Sequence, residues 1–186
     1  MVIKMRKFDK LIKEALRFNQ TFKAPDLNDK IARRLEGVQK TKLPDGSWHV
    51  HGNLDLSNLK LTSLEGLNVS IVDYSFSCYN NHLTTLEGCP KEVKQSFCCS
   101  YNKLSSLKGC PESVGLDFLC SNNKLISLEM CPKIINNSFD CSYNNLSDLE
   151  EGPIYVKETY KCEYNDTKFT KMDVVRNCEV HGNIYT

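Results

Sequence analysis

The sequence predicts a solenoid of stacked parallel strands with an α-helical N-terminal segment and a C-terminal cap. Three observations support this fold class: apolar and asparagine positions recur every 21 residues, each recurring unit contains a short Phe-x-Cys alternation, and segments with helical periodicity flank the recurring region. A single unit of this size cannot bury its own apolar face, so its stability must come from stacking on its neighbours.

The 21-residue interval holds in several columns at once. The columns are Phe76, Phe97, Phe118, Phe139 and Tyr160; Cys78, Cys99, Cys120, Cys141 and Cys162; Asn81, Asn102, Asn123, Asn144 and Asn165; Leu83, Leu104, Leu125 and Leu146; Leu86, Leu107, Leu128 and Leu149; Pro90, Pro111, Pro132 and Pro153; and Val93, Val114, Ile135 and Val156. A diverged earlier copy contains Leu54, Leu56, Leu61 and Leu64.

Each unit reads F-x-C-x-x-N-x-L-x-x-L-x-x-x-P-x-x-V, and over about residues 48–170 it resembles the leucine-rich repeat, L-x-L-x-x-N/C-x-L. The resemblance implies a leucine-rich-repeat solenoid. The Phe-x-Cys alternation predicts about five or six parallel strands in one sheet, with both side chains facing the core. The asparagine amide should satisfy backbone groups at the following bend, and the proline should stiffen the return segment.

The chain divides into a basic helical segment at 1–42, the repeats at 43–166 and a C-terminal cap at 167–186. A helical face is formed by Met5, Phe8, Leu11, Ile12, Ala15 and Leu16. Asn28 is predicted to cap a second helix whose apolar face is Ile31, Ala32, Leu35 and Val38. A turn at 43–47 should lead into a first strand at 48–51.

At the C-terminus, Thr170 is predicted to cap a short helix that extends to Asn177. Residues 180–185 could then add one last strand and so close the stack.

Charge is divided unevenly along the chain. Residues 1–42 contain 12 Lys/Arg and 5 Asp/Glu, whereas residues 43–186 contain 12 and 18. The basic helical face is either solvated or contacts an acidic partner. The sequence shows no secretory signal and no stretch of roughly 20 apolar residues, so we expect a cytoplasmic protein without a membrane segment.

The ten cysteines admit three interpretations: reduced core thiols, which we favour, disulfides between stacked turns, or metal ligands. Cys98 lies between the inward positions and should face solvent, as a reactive thiol or as an exposed bystander. Motifs for phosphate binding, zinc proteases and serine hydrolases are missing, so we expect no enzyme, no cofactor and no metal site.

Side chains that point away from the core should form the surface that binds a partner, because they vary on a constant frame. The predicted partner-binding residues are Tyr74, Tyr79, Cys98, Tyr101, Leu119, Asp140, Tyr143, Lys161 and Tyr164, together with Arg33 and Arg34 in the helical segment. Serines 100, 121 and 142 are expected to face outward beside them. This face has roughly 400 Å², about half of a standard interface, so a partner should also touch the N-terminal helices or the loop edge.

The chain resembles leucine-rich-repeat proteins encoded by large tailed bacteriophages, both in the residue pattern of its units, for example at 139–150, and in the segment at 178–185. That resemblance implies an accessory protein that binds and modulates or inhibits a host protein in the host cytoplasm. The alternatives are nucleic-acid binding through the basic helices and a structural or self-assembling role. The acidic solenoid and the few aromatic residues among the basic ones weigh against nucleic acid.

Overall fold

The computed structural model describes residues 27–186, which form a solenoid of stacked turns about 21 residues long. The predicted helix at 5–16 lies outside these residues. Strands and helices are numbered in chain order within the described part. The repeated unit places two short strands on each full turn: one belongs to a continuous parallel sheet, and the other belongs to a second ladder that is divided into two sheets.

The first ladder, called the long sheet, contains seven strands within the described residues. They are β3 (Leu54–Asp55), β5 (Phe76–Ser77), β7 (Phe97–Cys98), β9 (Phe118–Leu119), β11 (Ser138–Asp140), β13 (Thr159–Lys161) and β15 (Asn183–Tyr185). All pairs are parallel, and the Phe positions pair with one another in register, as Phe97 does with Phe76 and Phe118. The predicted parallel strands at the Phe-x-Cys positions are therefore confirmed, and their sheet has seven strands among the described residues where five or six were predicted.

The second ladder was not predicted, since the sequence was interpreted as one sheet. It is built on the Val93, Val114, Ile135 and Val156 column, which the sequence analysis placed in the return segment. Its strands form two separate sheets. The first contains β1 (Lys40–Lys42), β2 (Trp48–Val50), β4 (Val69–Val72), β6 (Glu92–Val93) and β8 (Ser113–Val114), and the second contains β10 (Ile134–Ile135), β12 (Tyr155–Val156) and β14 (Glu179–Val180). The repeat units contribute a single buried position to this ladder, as Val93 does in β6 and Val114 in β8, so no alternation indicates a strand there.

The core lies between the two ladders, and the recurring columns fill it. The Phe and Cys columns are 0–1% exposed from Phe76 to Cys162, and both leucine columns are buried to a similar degree. Ring centroids of successive aromatic residues lie 5.8, 5.3, 6.1 and 5.0 Å apart from Phe76 to Tyr160. The predicted orientation of the repeats is confirmed.

The asparagine column forms a continuous amide ladder. Asn123 Oδ1 accepts a hydrogen bond from Leu104 N at 3.1 Å, and its Nδ2 donates to the carbonyls of Cys99 and Cys120, each at 3.1 Å. The Cys99 carbonyl also accepts from Asn102, so neighbouring turns share acceptors. This arrangement satisfies the backbone at each bend, as predicted.

At the N-terminal end, α1 (Leu27–Glu36) packs against β3. Ile31 is 2% exposed and Leu35 is partly buried, whereas Ala32 is exposed and does not belong to the buried face as predicted. Asn28 lies inside the helix, which begins at Leu27, so the predicted cap position was wrong by one residue or more. The turn predicted at 43–47 follows β1 and joins it to β2 in an antiparallel hairpin.

At the C-terminal end, α2 (Lys171–Asn177) begins at its predicted cap. Thr170 Oγ1 accepts from Asp173 N, and the Asp173 carboxylate accepts from Thr170 N at 2.8 Å. After the helix the chain adds a strand to each ladder, β14 beside β12 and β15 beside β13. The segment therefore extends the solenoid by a further turn.

Candidate functional site

The outward residues of the long sheet form a column of mixed chemistry. Cys98, Leu119, Asp140 and Lys161 lie opposite one another on β7, β9, β11 and β13, and each is half-buried. Asp140 Oδ1 accepts from Ser142 N at 3.0 Å, and Lys161 Nζ lies 5.6 Å from the centre of the Tyr185 ring. An apolar side chain, a thiol and two opposite charges are thus presented on one fixed frame.

The serine column next to it is buried, which corrects the prediction that it faces solvent. Ser100, Ser121 and Ser142 are 4%, 8% and 4% exposed, and Ser121 Oγ donates to Ser100 Oγ at 3.1 Å. The three serines lie two residues after the ends of β7, β9 and β11, so alternation along the strands does not determine their burial. These serines line the base of the surface and are not available to a partner.

The column after the serines has an unusual backbone conformation. Its residues have positive φ angles: 61° at Asn58, 50° at Asn80, 58° at Tyr101, 55° at Asn122, 55° at Tyr143 and 56° at Tyr164. We call these six residues the left-handed column. Asparagine tolerates this region, but a bulky residue there is an outlier, and the conformation costs roughly 1–2 kcal/mol for an ordinary L-residue. The backbone N–H groups of Tyr101 and Tyr143 donate to Ser121 O and Glu163 O at 3.0 and 2.9 Å, which holds the conformation.

The tyrosines on this side of the sheet lie in two pairs. The rings of Tyr79 and Tyr101 are 5.2 Å apart and tilted, and those of Tyr143 and Tyr164 are 4.4 Å apart and stacked. The exposed fractions of these four residues rise from 36% at Tyr79 to 67% at Tyr164. Tyr164 also borders a surface cavity of about 340 Å³ together with Lys168, Phe169 and Thr186.

The remaining predicted residues lie at the margins of this face. Tyr74 is 48% exposed, in the bend between β4 and β5. Arg33 and Arg34 are exposed in the last turn of α1, which packs against β3 at one end of the long sheet. The structure thus brings nine of the predicted residues onto or beside the long sheet and places the two arginines at its N-terminal end.

All ten cysteines lie in the described part of the chain, and each is a free thiol. Burial raises the pKa of Cys98 above its ordinary value, which reduces its thiolate fraction at neutral pH. Burial likewise raises the pKa of Cys110, Cys162 and Cys178 to about 12. Nothing in these environments activates a thiol as a nucleophile.

A cluster on the second ladder was missed by the sequence analysis. His49 Nε2 lies 2.8 Å from Asp73 Oδ1, and His51 Nδ1 lies 3.0 Å from Asp73 Oδ2. Lys94 Nζ donates to Asp73 Oδ1 at 2.6 Å. The hydrogen bond from Lys94, followed by those from the two histidines, holds the pKa of the Asp73 carboxyl well below its usual range.

These residues could have been found from the spacing. His49-Val50-His51 places two imidazoles on one face of a strand, and Asp73 follows about one turn later. Within residues 27–186, His49, His51 and Asp73 form the one group of three or more donors that could hold a metal ion.

Comparison of the chain with protein-family models, with curated proteins and with solved structures found no match. Among the described residues, neither helix is long and apolar enough to cross a membrane.

Proposed function

We propose that this protein is a non-catalytic binding module that recognises another protein through the outer face of the long sheet. The observation that carries the proposal is the left-handed column, in which Tyr101, Tyr143 and Tyr164 occupy a conformation that disfavours them. Strained residues that persist without a packing role are candidates for function.

The other turns show that the fold does not require tyrosine at this position. Asn58, Asn80 and Asn122 have the same backbone conformation in the same column. Asparagine visits the left-handed region readily, so it is the residue that stability alone favours. The three tyrosines are instead 48%, 50% and 67% exposed. Their rings are therefore presented to solvent at a cost in free energy.

Exposed tyrosine pairs suit protein recognition. A tyrosine brings a large contact area with few rotatable bonds, and a hydroxyl that can bond a partner. Ring contact within each pair, tilted at 5.2 Å for Tyr79 and Tyr101 and stacked at 4.4 Å for Tyr143 and Tyr164, restricts the rings before a partner binds. The cavity beside Tyr164 offers a recess for a partner side chain, as binding hot spots often do.

The size of the face sets a requirement on the partner. Seven strands about 4.8 Å apart and five residues of about 3.3 Å give roughly 500 Å², still below the 800 Å² typical of one side of an interface. The partner should therefore extend onto α1, where Arg33 and Arg34 are exposed. An acidic region of the partner would complement these arginines.

The repeat resemblance supplies a setting for this proposal. We regard the solenoid as a leucine-rich-repeat protein of the kind encoded by tailed bacteriophages, with α2 and the last strands as its cap. Its partner would be a host protein in the host cytoplasm, which it modulates or inhibits. The repeat pattern at 139–150 and the ending at 178–185 support this setting.

The test uses variants that separate binding from folding. The double variant Tyr101→Asn/Tyr143→Asn removes two rings and relieves the backbone, so the melting temperature should stay level or rise. The partner protein is captured from bacterial lysate, purified and titrated against each variant. The binding free energy should weaken by about 2 kcal/mol or more if either ring is a hot spot. A merely structural role for the rings would lower the melting temperature instead.

The matched control is Ile134→Ser/Ile154→Ser, which removes two exposed apolar side chains on or next to the second ladder, 57% and 59% exposed. This variant should bind as the parent does. Arg33→Glu/Arg34→Glu should weaken binding separately from the tyrosine variant. If only the arginine variant loses binding, and the ligand is nucleic acid in a salt-dependent gel shift, the long sheet is a scaffold and the proposal is wrong.

A further inference from the structure

His49, His51 and Asp73 lie together on the second ladder, on the opposite strand layer from the tyrosines. His49 is in β2, His51 follows β2 directly, and Asp73 follows β4 directly. Strands β2 and β4 pair in parallel with Val50 opposite Val72, so the next residues, His51 and Asp73, meet across the ladder. The three side chains are therefore brought together by the pairing of neighbouring strands.

The backbone under this cluster is held at each of its positions. Asp73 N donates to Val50 O at 2.9 Å, and His51 N donates to Gln39 O at 2.8 Å in the adjoining hairpin. Lys94 N donates in turn to Val72 O at 3.0 Å. A site built on hydrogen-bonded strands holds its side chains more accurately than a site on loops.

The donor atoms lie at distances that suit a single ion. His49 Nε2 and His51 Nδ1 are 2.8 and 3.0 Å from the two Asp73 oxygens, and all three residues offer ligand atoms within 4.8 Å of one another. Ligands about 2.0–2.2 Å from a tetrahedral zinc ion are roughly 3.4 Å apart, so small side-chain rotations would admit the ion. The side chains of His49, His51 and Asp73 are 20%, 29% and 23% exposed, which leaves a path from solvent.

We propose that His49, His51 and Asp73 form a binding site for a divalent transition-metal ion, with Zn²⁺ as the ion that fits the donor set best. Two imidazoles and one carboxylate are donors of the kind that bind Zn²⁺ in proteins, and a water molecule would complete the coordination. Calcium and magnesium prefer oxygen donors throughout and do not suit two histidines.

Thr41 supports the site from the second coordination shell. Its Oγ1 lies 3.0 Å from His51 Nε2, the ring nitrogen that faces away from Asp73. A hydroxyl can accept a hydrogen bond from this nitrogen, which leaves Nδ1 unprotonated and able to bind an ion. Histidine ligands in metal sites usually donate their second nitrogen to such a partner.

Lys94 would compete with a metal ion for the Asp73 carboxylate. Its ammonium group donates to Asp73 Oδ1 at 2.6 Å and supplies the positive charge that a metal ion would otherwise bring. Zinc binding therefore requires the ammonium to move away. Because Lys94 is 48% exposed, its side chain can turn into solvent. Removal of this charge should raise the affinity of the site for the ion. No such gain is expected if the three residues form only a hydrogen-bonded cluster.

The experiment titrates ZnCl₂ into the reduced full chain by calorimetry, with a non-thiol reductant present. We expect one saturable site in the parent protein and a loss of affinity of about tenfold or more in His49→Ala, His51→Ala and Asp73→Asn, since even loss of a supporting residue has effects of that order. Lys94→Met should bind more tightly than the parent. The control His181→Ala, which alters a surface histidine 2.6 Å from Glu179, should bind as the parent does.

Cobalt substitution distinguishes this site from the cysteines. Co²⁺ bound by nitrogen and oxygen gives visible bands without the strong near-ultraviolet charge-transfer band of a thiolate complex. The proposal is overturned if the parent shows no saturable Zn²⁺ binding, if the thiolate band appears, or if Lys94→Met weakens binding. Circular dichroism of each variant shows whether a loss of binding reflects unfolding. Lys94→Met removes none of the proposed ligands, so its result tests the site independently of the other variants.

Discussion

Asn122 and Asn123 are neighbours in the chain but belong to different parts of the molecule. Asn123 faces inward, and its amide bonds Leu104 N and the Cys99 and Cys120 carbonyls. Asn122 faces outward in the left-handed column with a φ of 55°. The inner position is asparagine in all five units from Asn81 to Asn165, whereas the outer position is asparagine in two of these units and tyrosine in three.

The difference shows which constraint acts at each position. The inner amide must supply both a donor and an acceptor at fixed distances, and few side chains can do so. The outer position is constrained only by its backbone angle, which asparagine meets readily and tyrosine meets with strain. Packing and hydrogen bonding therefore explain the uniformity of the inner columns, and they do not explain the tyrosines of the outer column.

The largest expected effect is a loss of stability at high pH, caused by the buried cysteines of the inner column. Burial raises the pKa of Cys78, Cys99, Cys120 and Cys141, each 0% exposed, far above the ordinary 9.0. Because the folded thiols stay neutral, their stabilising contribution is complete below pH 9 and is lost as the pH rises beyond it, when the unfolded thiols ionise. Four such groups should lower the free energy of unfolding by on the order of 5 kcal/mol at pH 10.

Denaturant titrations at pH 7, 9 and 10 in the presence of a reductant measure this loss. The variant Cys99→Ala/Cys120→Ala removes two of these four thiols and leaves the other six cysteines, whose pKa burial also raises. Its loss of stability between pH 9 and 10 should therefore be smaller than that of the parent protein by about 2 kcal/mol. A free energy of unfolding that is unchanged up to pH 10 would show that these thiols are not buried in the native state. A thiol assay under denaturation should return all ten cysteines.

The next effect contrasts the two neighbouring asparagines. Asn123→Ala leaves Leu104 N without its acceptor inside the core, while the Cys99 and Cys120 carbonyls keep bonds from Asn102 and Asn144. We expect a loss of about 2–4 kcal/mol in the free energy of unfolding, from the unsatisfied N–H and the lost hydrogen bonds. Asn122→Ala should lose about 1 kcal/mol or less, from the backbone preference alone.

Urea denaturation of both variants makes the comparison, with Asn165→Ala as a third. Asn165 has equivalent bonds to Leu146 N and the Cys141 and Cys162 carbonyls but lies nearer the end of the stack. Local fraying at that end should reduce its measured loss. Equal losses for Asn122→Ala and Asn123→Ala would contradict the distinction between the two columns.

The sequence was sufficient for the inner columns because each repeats a requirement of packing. The burial of the Phe and Cys positions and the role of the asparagines could be predicted from one interval of 21 residues. Two features could not. The ladder on Val93 and its equivalents has a single buried position in each unit and so shows no alternation, and the burial of Ser121 depends on the side chains around it.

The candidate sites were predicted less completely than the fold. Outward tyrosines follow from alternation along a strand, but their left-handed backbone was found only in the structure, since no residue pattern in a Ser-Tyr-Asn run dictates a positive φ at Tyr101. His49 and Asp73 were not predicted as a pair either, because they lie 24 residues apart and the ladder whose register brings them together was not predicted.

A smaller effect tests the strain in the outer column directly. Tyr101→Asn and Tyr101→Ala both remove the ring, so they differ mainly in how well the new residue accepts a φ of 58°. The asparagine variant should be more stable than the alanine variant by about 0.5–1 kcal/mol. Thermal denaturation of both proteins measures the difference.

The control for this comparison is the same pair of substitutions at Lys103, an exposed residue without a positive φ. Lys103→Asn should not be more stable than Lys103→Ala, because asparagine has no advantage outside the left-handed region. If asparagine is equally favoured at both positions, the tyrosines are not strained and lose their value as evidence for a binding surface.

The smallest effect concerns the serines that lie between the inner and outer columns. Ser142 Oγ is buried and has no hydrogen-bond partner among the described residues, whereas Ser121 Oγ donates to Ser100 Oγ at 3.1 Å. A buried hydroxyl without a partner is unfavourable, so Ser142→Ala should leave the free energy of unfolding unchanged or raise it by up to about 1 kcal/mol. Ser121→Ala breaks an existing bond and should lower it by about 1 kcal/mol. Urea denaturation of the two variants under identical conditions compares them, and a larger loss for Ser142→Ala would show that its hydroxyl is bonded in solution.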